Sequence, residues 1–115
     1  MTYTYKLPPL DPCPVEHVVQ LIGGKWKARL LGRIRECPAS VGDLQRFLPR
    51  IRPQVLLRQL KALEQDDLIS RLAPASGRDW GRYTLTDRAR ALLAAVDAIA
   101  FWGERDLAEA LNRDR

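Results

Sequence analysis

Two short apolar stripes joined by a proline-bounded turn constrain this chain most. Leu44, Phe47, Leu48 and Ile51 recur at the i, i+3, i+4, i+7 spacing of one helix face. Ser40, with Asp43 three residues on, supplies an N-terminal cap for that helix. The turn Leu48-Pro49-Arg50-Ile51-Arg52 follows, and Pro53 opens another helix at a position proline tolerates. This helix buries Leu56, Leu60 and Leu63 and presents Gln54, Arg58 and Lys61 on another side. Two short helices joined so tightly, the second with a polar basic face, give helix-turn-helix geometry.

The flanking sequence extends the pattern. Met1 to Pro12 is a proline-rich arm. Pro14 opens a helix striped by Val15, Val18, Val19 and Ile22, which Gly23-Gly24 stops. Lys25 to Arg35 reads as a helix with Trp26, Leu30, Leu31 and Ile34 on its apolar face, ended at Cys37-Pro38. After Asp66-Asp67, Ile69–Ala73 and Arg82–Leu85 are short β-leaning runs around a loop rich in Pro, Gly and Ser. Thr86 caps a long final helix. Its apolar face is wide: Ala89, Leu92, Val96 and Ile99 form one strip, Leu93, Ala100, Leu107 and Leu111 a second. So broad a face exceeds what one small core needs and points to a subunit interface. The expected fold class is mainly α with a small β-hairpin, a winged helix-turn-helix with a C-terminal dimerisation helix. The arm spans residues 1–12 and the domain 13–115, with turn and recognition helix at about 40–65, wing at about 69–85 and C-terminal helix at about 86–111.

Composition excludes several classes. At 115 residues the chain allows one domain, and 46% hydrophobic with 29% charged residues is an ordinary globular balance. No apolar run is long enough to span a bilayer, and Met1 to Asp11 lacks the apolar core of a signal peptide. Two cysteines in such a chain lead to the expectation of a reducing, cytoplasmic setting. The net charge of +5 is concentrated: Lys25 to Arg58 holds nine basic residues and two acids, a local +7. That block implies a polyanion partner or a solvated helix face. No phosphate loop, Gly-x-Ser-x-Gly, His-Glu-x-x-His or Cys-x-x-Cys is present, so an enzyme reading finds no support. His17, the single histidine, has no partner at a metal-ligand spacing, so it is expected exposed or packed on the first helix. No metal and no cofactor are expected.

Further segments carry a resemblance. Cys13-Pro14-Val15-Glu16, Ile22-Gly23-Gly24-Lys25-Trp26, Leu44 to Leu48, Leu56 to Glu64, Tyr83-Thr84-Leu85-Thr86 and Trp102-Gly103 resemble HxlR-type winged helix-turn-helix transcriptional regulators. The resemblance covers Cys13 to Gly103. It implies a homodimer built by the first and last helices that binds a pseudo-palindromic operator in double-stranded DNA. Half-sites are then expected about 34–36 Å apart. Gln54, Leu57, Arg58 and Lys61 are the candidates for base readout; Arg and Gln suit guanine and adenine, and Leu57 a thymine methyl. Lys25, Arg46, Arg50, Arg52 and the wing residues Arg78 and Arg82 are candidates for phosphate or wing contacts. The candidate dimer interface is Val15, Val18, Leu92, Val96, Ile99 and Trp102. Trp26 is expected in the core or the dimer seam, and Trp80 exposed in the wing.

Cysteine sensing is also implied. In several such regulators the cysteine matching Cys13 senses quinones, aldehydes or oxidants, and thiolate character rises near a helix N-terminus. Its alternative is an inert buried thiol. Cys37 is expected to be structural, and a Cys13–Cys37 bridge, within or between subunits, is open but not readable from spacing. A small-molecule effector is the other regulatory expectation. The chain departs from the family pattern at Ser40-Val41, at Ile51-Arg52 where Ile-Ser is usual, and through the wing from Ser76 to Arg82. These departures leave a second reading open, a winged-helix protein-interaction module without DNA binding.

Overall fold

The computed structural model describes residues 13–72 and 81–114. The proline-rich arm and the wing tip, with Ala73, Arg78 and Trp80, lie outside the described residues. The order is α1 (Pro14–Ile22), α2 (Lys27–Glu36), α3 (Val41–Phe47), α4 (Pro53–Gln65), β1 (Ile69–Leu72), β2 (Arg82–Leu85) and α5 (Asp87–Arg113).

Local chemistry explains most boundaries. Pro14 and Pro53 sit in the first turns of α1 and α4, where the missing N–H costs no helix bond. At α1's end Gly24 takes a φ of 92°, and a Cβ on Gly23 would lie 2.4 Å from the Val19 carbonyl oxygen, so this stop requires both glycines. Ser40 caps α3 in a reciprocal box: its Oγ accepts from the Asp43 N–H at 3.1 Å, and Asp43 accepts from the Ser40 N–H at 3.0 Å. Thr86 caps α5 by accepting from the Ala89 N–H at 3.1 Å. The same hydroxyl donates to the Asp67 carbonyl at 2.7 Å, fastening α5 to the chain that enters β1. Helix α2 begins two residues later than the sequence pattern implies, because Trp26 stands at its cap with no side-chain bond.

The hairpin is antiparallel, with Ile69 opposite Leu85 and Leu72 opposite Arg82. A bridge outside the hairpin docks it on the helices: the Ala39 N–H donates to the Tyr83 carbonyl at 3.0 Å, and Tyr83 returns the bond at 2.8 Å. The core lies where α2, α3, α4, the hairpin and the start of α5 converge. Leu30, Leu31, Leu44, Leu56, Leu60, Leu63 and Leu68 are its largest fully buried side chains. Each contributes roughly 1.5–3 kcal/mol of burial.

Helix α1 buries none of its residues completely, and α5 buries only Ala89 and Leu93, both in its first two turns. Farther along, Asp97 accepts two bonds from Arg35, at 2.8 and 2.7 Å, which join α5 to α2. One expectation about packing needs correction: Phe47, on the apolar stripe of α3, is 49% exposed, since the chain turns at Leu48 and leaves it beside the turn. Leu92 and Val96, candidates for the dimer interface, are half-buried against the core of their own chain. No helix among the described residues is long and apolar enough to cross a membrane.

Candidate nucleic-acid interface

The α3–turn–α4 unit is held from both ends. Ile51 is buried, and its N–H donates to the Leu48 carbonyl at 3.1 Å, closing the turn. Pro49 and Pro53 have no N–H to give, so turn carbonyls need another donor. Gln45 supplies it, donating from Nε2 to Ile51 at 2.8 Å and to Leu48 at 3.4 Å. The sequence reading missed this residue. A glutamine within bonding reach of a proline-flanked turn was the available signal.

Helix α4 divides cleanly into two faces. Leu56, Leu60 and Leu63 enter the core. Gln54, Leu57, Arg58 and Lys61 stand at i, i+3, i+4, i+7 and are all exposed, Leu57 at 54%. The side chains of Gln54, Arg58 and Lys61 have no hydrogen bond or ion pair among the described residues, so their polar groups face outward unengaged. Arg50 and Arg52, exposed and likewise unpaired among those residues, stand just before α4, Arg52 as its N-cap without a side-chain bond. Lys25 lies before α2 with its Nζ 4.8 Å from the centre of the Trp26 ring.

Arg46 is engaged differently. It pairs with Asp43 at 2.6 Å, so part of its charge is already answered. The Ser40 N–H first and Arg46 second hold the Asp43 carboxyl below the usual aspartate range. At the hairpin, Arg71 lies 5.2 Å from the Tyr83 ring centre and 3.4 Å from Glu64 of α4, tying the wing's base to that helix. Burial pushes the Tyr83 phenol upward. Arg82 is exposed at the start of β2; Arg78 lies outside the described residues.

Half of the residues expected at a subunit seam are bare. Val15 is exposed and Val18 half-buried on α1, and Ile99 and Trp102 on α5 are 59% and 68% exposed. Phe101, Leu107 and Leu111 lengthen the bare surface of α5, and Phe101 was absent from the expected set. Trp26 is half-buried against the core.

Both cysteines are free thiols. Cys13, half-buried, caps α1: its Sγ accepts from the Glu16 N–H at 3.4 Å, and Glu16 accepts from the Cys13 N–H at 3.3 Å. Cys37, for which a structural role is expected, is exposed at the end of α2, where Arg33 donates to its carbonyl at 3.2 Å and to its Sγ at 3.3 Å. His17 is exposed. No group of three or more metal-ligating side chains occurs among the described residues.

A helix-turn-helix whose second helix turns a free polar face outward, followed by a docked hairpin, defines a winged helix-turn-helix protein. The HxlR-like helix-turn-helix family matches residues 21–110, and the chain belongs to that family. It is a transcriptional regulator of the helix-turn-helix type. YdzF, an HTH-type transcriptional regulator of Bacillus subtilis, is 38% identical over 91 residues, covering 78% of this chain and 84% of YdzF. The redox regulator HypR in its reduced form is similar in structure, with a TM-score of 0.76 at 32% identity over 84% of this chain and 98% of HypR. Quinone-bound YodB from B. subtilis gives a TM-score of 0.69 at 26% identity, over 81% of this chain and 99% of YodB.

Proposed function

We propose that this protein is a homodimeric, sequence-specific DNA-binding regulator that lays α4 in the major groove of a pseudo-palindromic operator. The carrying observation is the outward face of α4, where Gln54, Leu57, Arg58 and Lys61 stand exposed in one row. Gln54 and Arg58 have the donors to read base edges, Leu57 the apolar surface for a thymine methyl, and Lys61 a charge for the groove. Lys25, Arg50 and Arg52 hold phosphates and set register, with Arg46 a weaker contributor because of Asp43. Arg82, together with Arg78 beyond the described residues, serves the wing. A second copy covers α1 and the outer half of α5. Such a regulator works where the DNA is, in the cytoplasm.

Cys13 is the proposed sensor of oxidants or electrophiles. Its thiol is free and caps a helix of the proposed dimer seam, so a bulky adduct there perturbs both the cap and the packing. HypR is a redox regulator and YodB is seen with a bound quinone, which favours a sensing role for Cys13.

Fluorescence anisotropy with DNA from upstream of the protein's own gene, at two salt concentrations and with random competitor, tests the proposal. Competitor-resistant binding that falls steeply with salt is expected. Arg58→Ala is expected to lose about 1–3 kcal/mol on the cognate site and to relax specificity. Arg50→Ala should weaken all sequences alike and flatten the salt dependence. Equal binding of operator and random DNA by the parent and Arg58→Ala contradicts the assignment of α4. No DNA affinity at any salt favours the protein-interaction module. Alkylation of Cys13 that leaves operator affinity unchanged removes the thiol switch.

A further inference from the structure

Phe47 and Trp26 both line one cleft. An open cleft of 410 Å³ lies between the start of α2 and the turn after α3. Its size falls within the roughly 300–1,000 Å³ of small-molecule pockets. Lys25, Arg29 and Arg50 line it beside Trp26 and Phe47, and none of its described lining residues is acidic. None of the three cations has an ion pair among the described residues. Two aromatic rings and three cations without a counter-charge make a specific chemical demand. A phosphate alone would satisfy the cations and leave Phe47, 49% exposed, facing water. An aliphatic guest would leave the charges unanswered. A flat ring bearing an anionic group answers both, its face on Phe47 and its charge among the guanidinium and ammonium groups.

We infer that this cleft binds a small planar aromatic anion and that its occupation weakens DNA binding. The second half rests on the proposed phosphate role of Lys25 and Arg50, since a guest's charge there neutralises the groups that would meet the backbone. The first half stands without it. Such a site gives the regulator an input that needs no thiol chemistry.

The probe is 1-naphthoate, titrated calorimetrically into the full-length protein, with cyclohexanecarboxylate (charge without a flat ring) and 1-naphthalenemethanol (ring without charge) as comparisons. Saturable binding at one site per chain is expected, with both comparisons weaker by about tenfold or more. Phe47→Leu and Arg29→Gln should each weaken 1-naphthoate by about tenfold while DNA affinity stays at the parent level. Circular dichroism confirms that both variants fold. Absence of saturable binding, equal binding of cyclohexanecarboxylate, or a folded Phe47→Leu that binds 1-naphthoate like the parent overturns the site. Anisotropy of DNA-bound protein should fall as 1-naphthoate is added, and no fall at saturation overturns the regulatory half. A protein that binds 1-naphthoate through Phe47 but no DNA at all supports the site and overturns the regulatory role.

Discussion

The α2–α4 region and the outer half of α5 carry the same kind of sequence signal and meet opposite fates. In the first, leucines at helical spacing are fully buried: Leu30, Leu31, Leu44, Leu56, Leu60 and Leu63. In the second, Ile99, Leu107 and Leu111 repeat just as regularly and stand open, with Phe101 and Trp102 beside them. An apolar stripe states that a face will be covered; it does not state by what. Within the α2–α4 region the cover comes from the same chain, because the connections are short enough to fold the helices onto one another. For the outer half of α5 no described segment packs on the stripe, and the proposed cover is a second copy.

Substitution at the bare stripe should produce the largest effect on assembly. Ile99→Asp places a charge at the proposed seam and should weaken the dimer by about 3–5 kcal/mol per buried charge. Sedimentation should show a monomer that retains the helical circular dichroism of the parent. If this variant unfolds at every concentration, the two regions are one cooperative core and the contrast fails. Leu60→Ala should cost about 2–5 kcal/mol in urea unfolding, through a cavity in a side chain's place that is 1% exposed. Its neighbour across α4, Arg58→Ala, should move stability by no more than about 0.5 kcal/mol, its effect being reserved for DNA. The caps offer a finer comparison. Thr86→Ala should cost about 1–2 kcal/mol, since Thr86 serves both α5 and Asp67. Cys13→Ala, at a sulfur cap on the exposed α1, should cost less than about 0.5 kcal/mol.

The smallest effect is acidic. Asp97 is held below the usual aspartate range by the bonds from Arg35, and Asp43 by the Ser40 N–H and Arg46. Carboxyls lowered in the folded state stabilise it fully above their unfolded values and lose that contribution as pH falls through the folded ones. A melting series should therefore show stability falling below about pH 4. Asp97→Asn should lessen that fall, and an unchanged acid limb would remove the Arg35–Asp97 bridge from the account.

The local punctuation was legible in the sequence. Pro14, Ser40 with Asp43, Pro53 and Thr86 each act within a few residues, and the helices start where they stand. The row Gln54, Leu57, Arg58, Lys61 was legible for the same reason, because one helix's periodicity fixes which residues share a face. Contacts between distant segments were not. The Ala39–Tyr83 bridge and the Arg35–Asp97 pair join residues far apart in the chain, and no local pattern encodes them. Phe47 shows the limit of periodicity: it ranks faces by polarity and leaves depth to tertiary packing. Cys13 was marked by its place before Pro14, but its role in a reciprocal cap required the position of Glu16.

Hydroxyl-radical footprinting on an operator selected from random DNA tests the central claim most directly, since it reports the dimer and the reading helix together. Two protected segments centred about 10–10.5 base pairs apart, with the protection of both lost in Ile99→Asp, are the predicted result. A single protected segment, unchanged by Ile99→Asp, would contradict it.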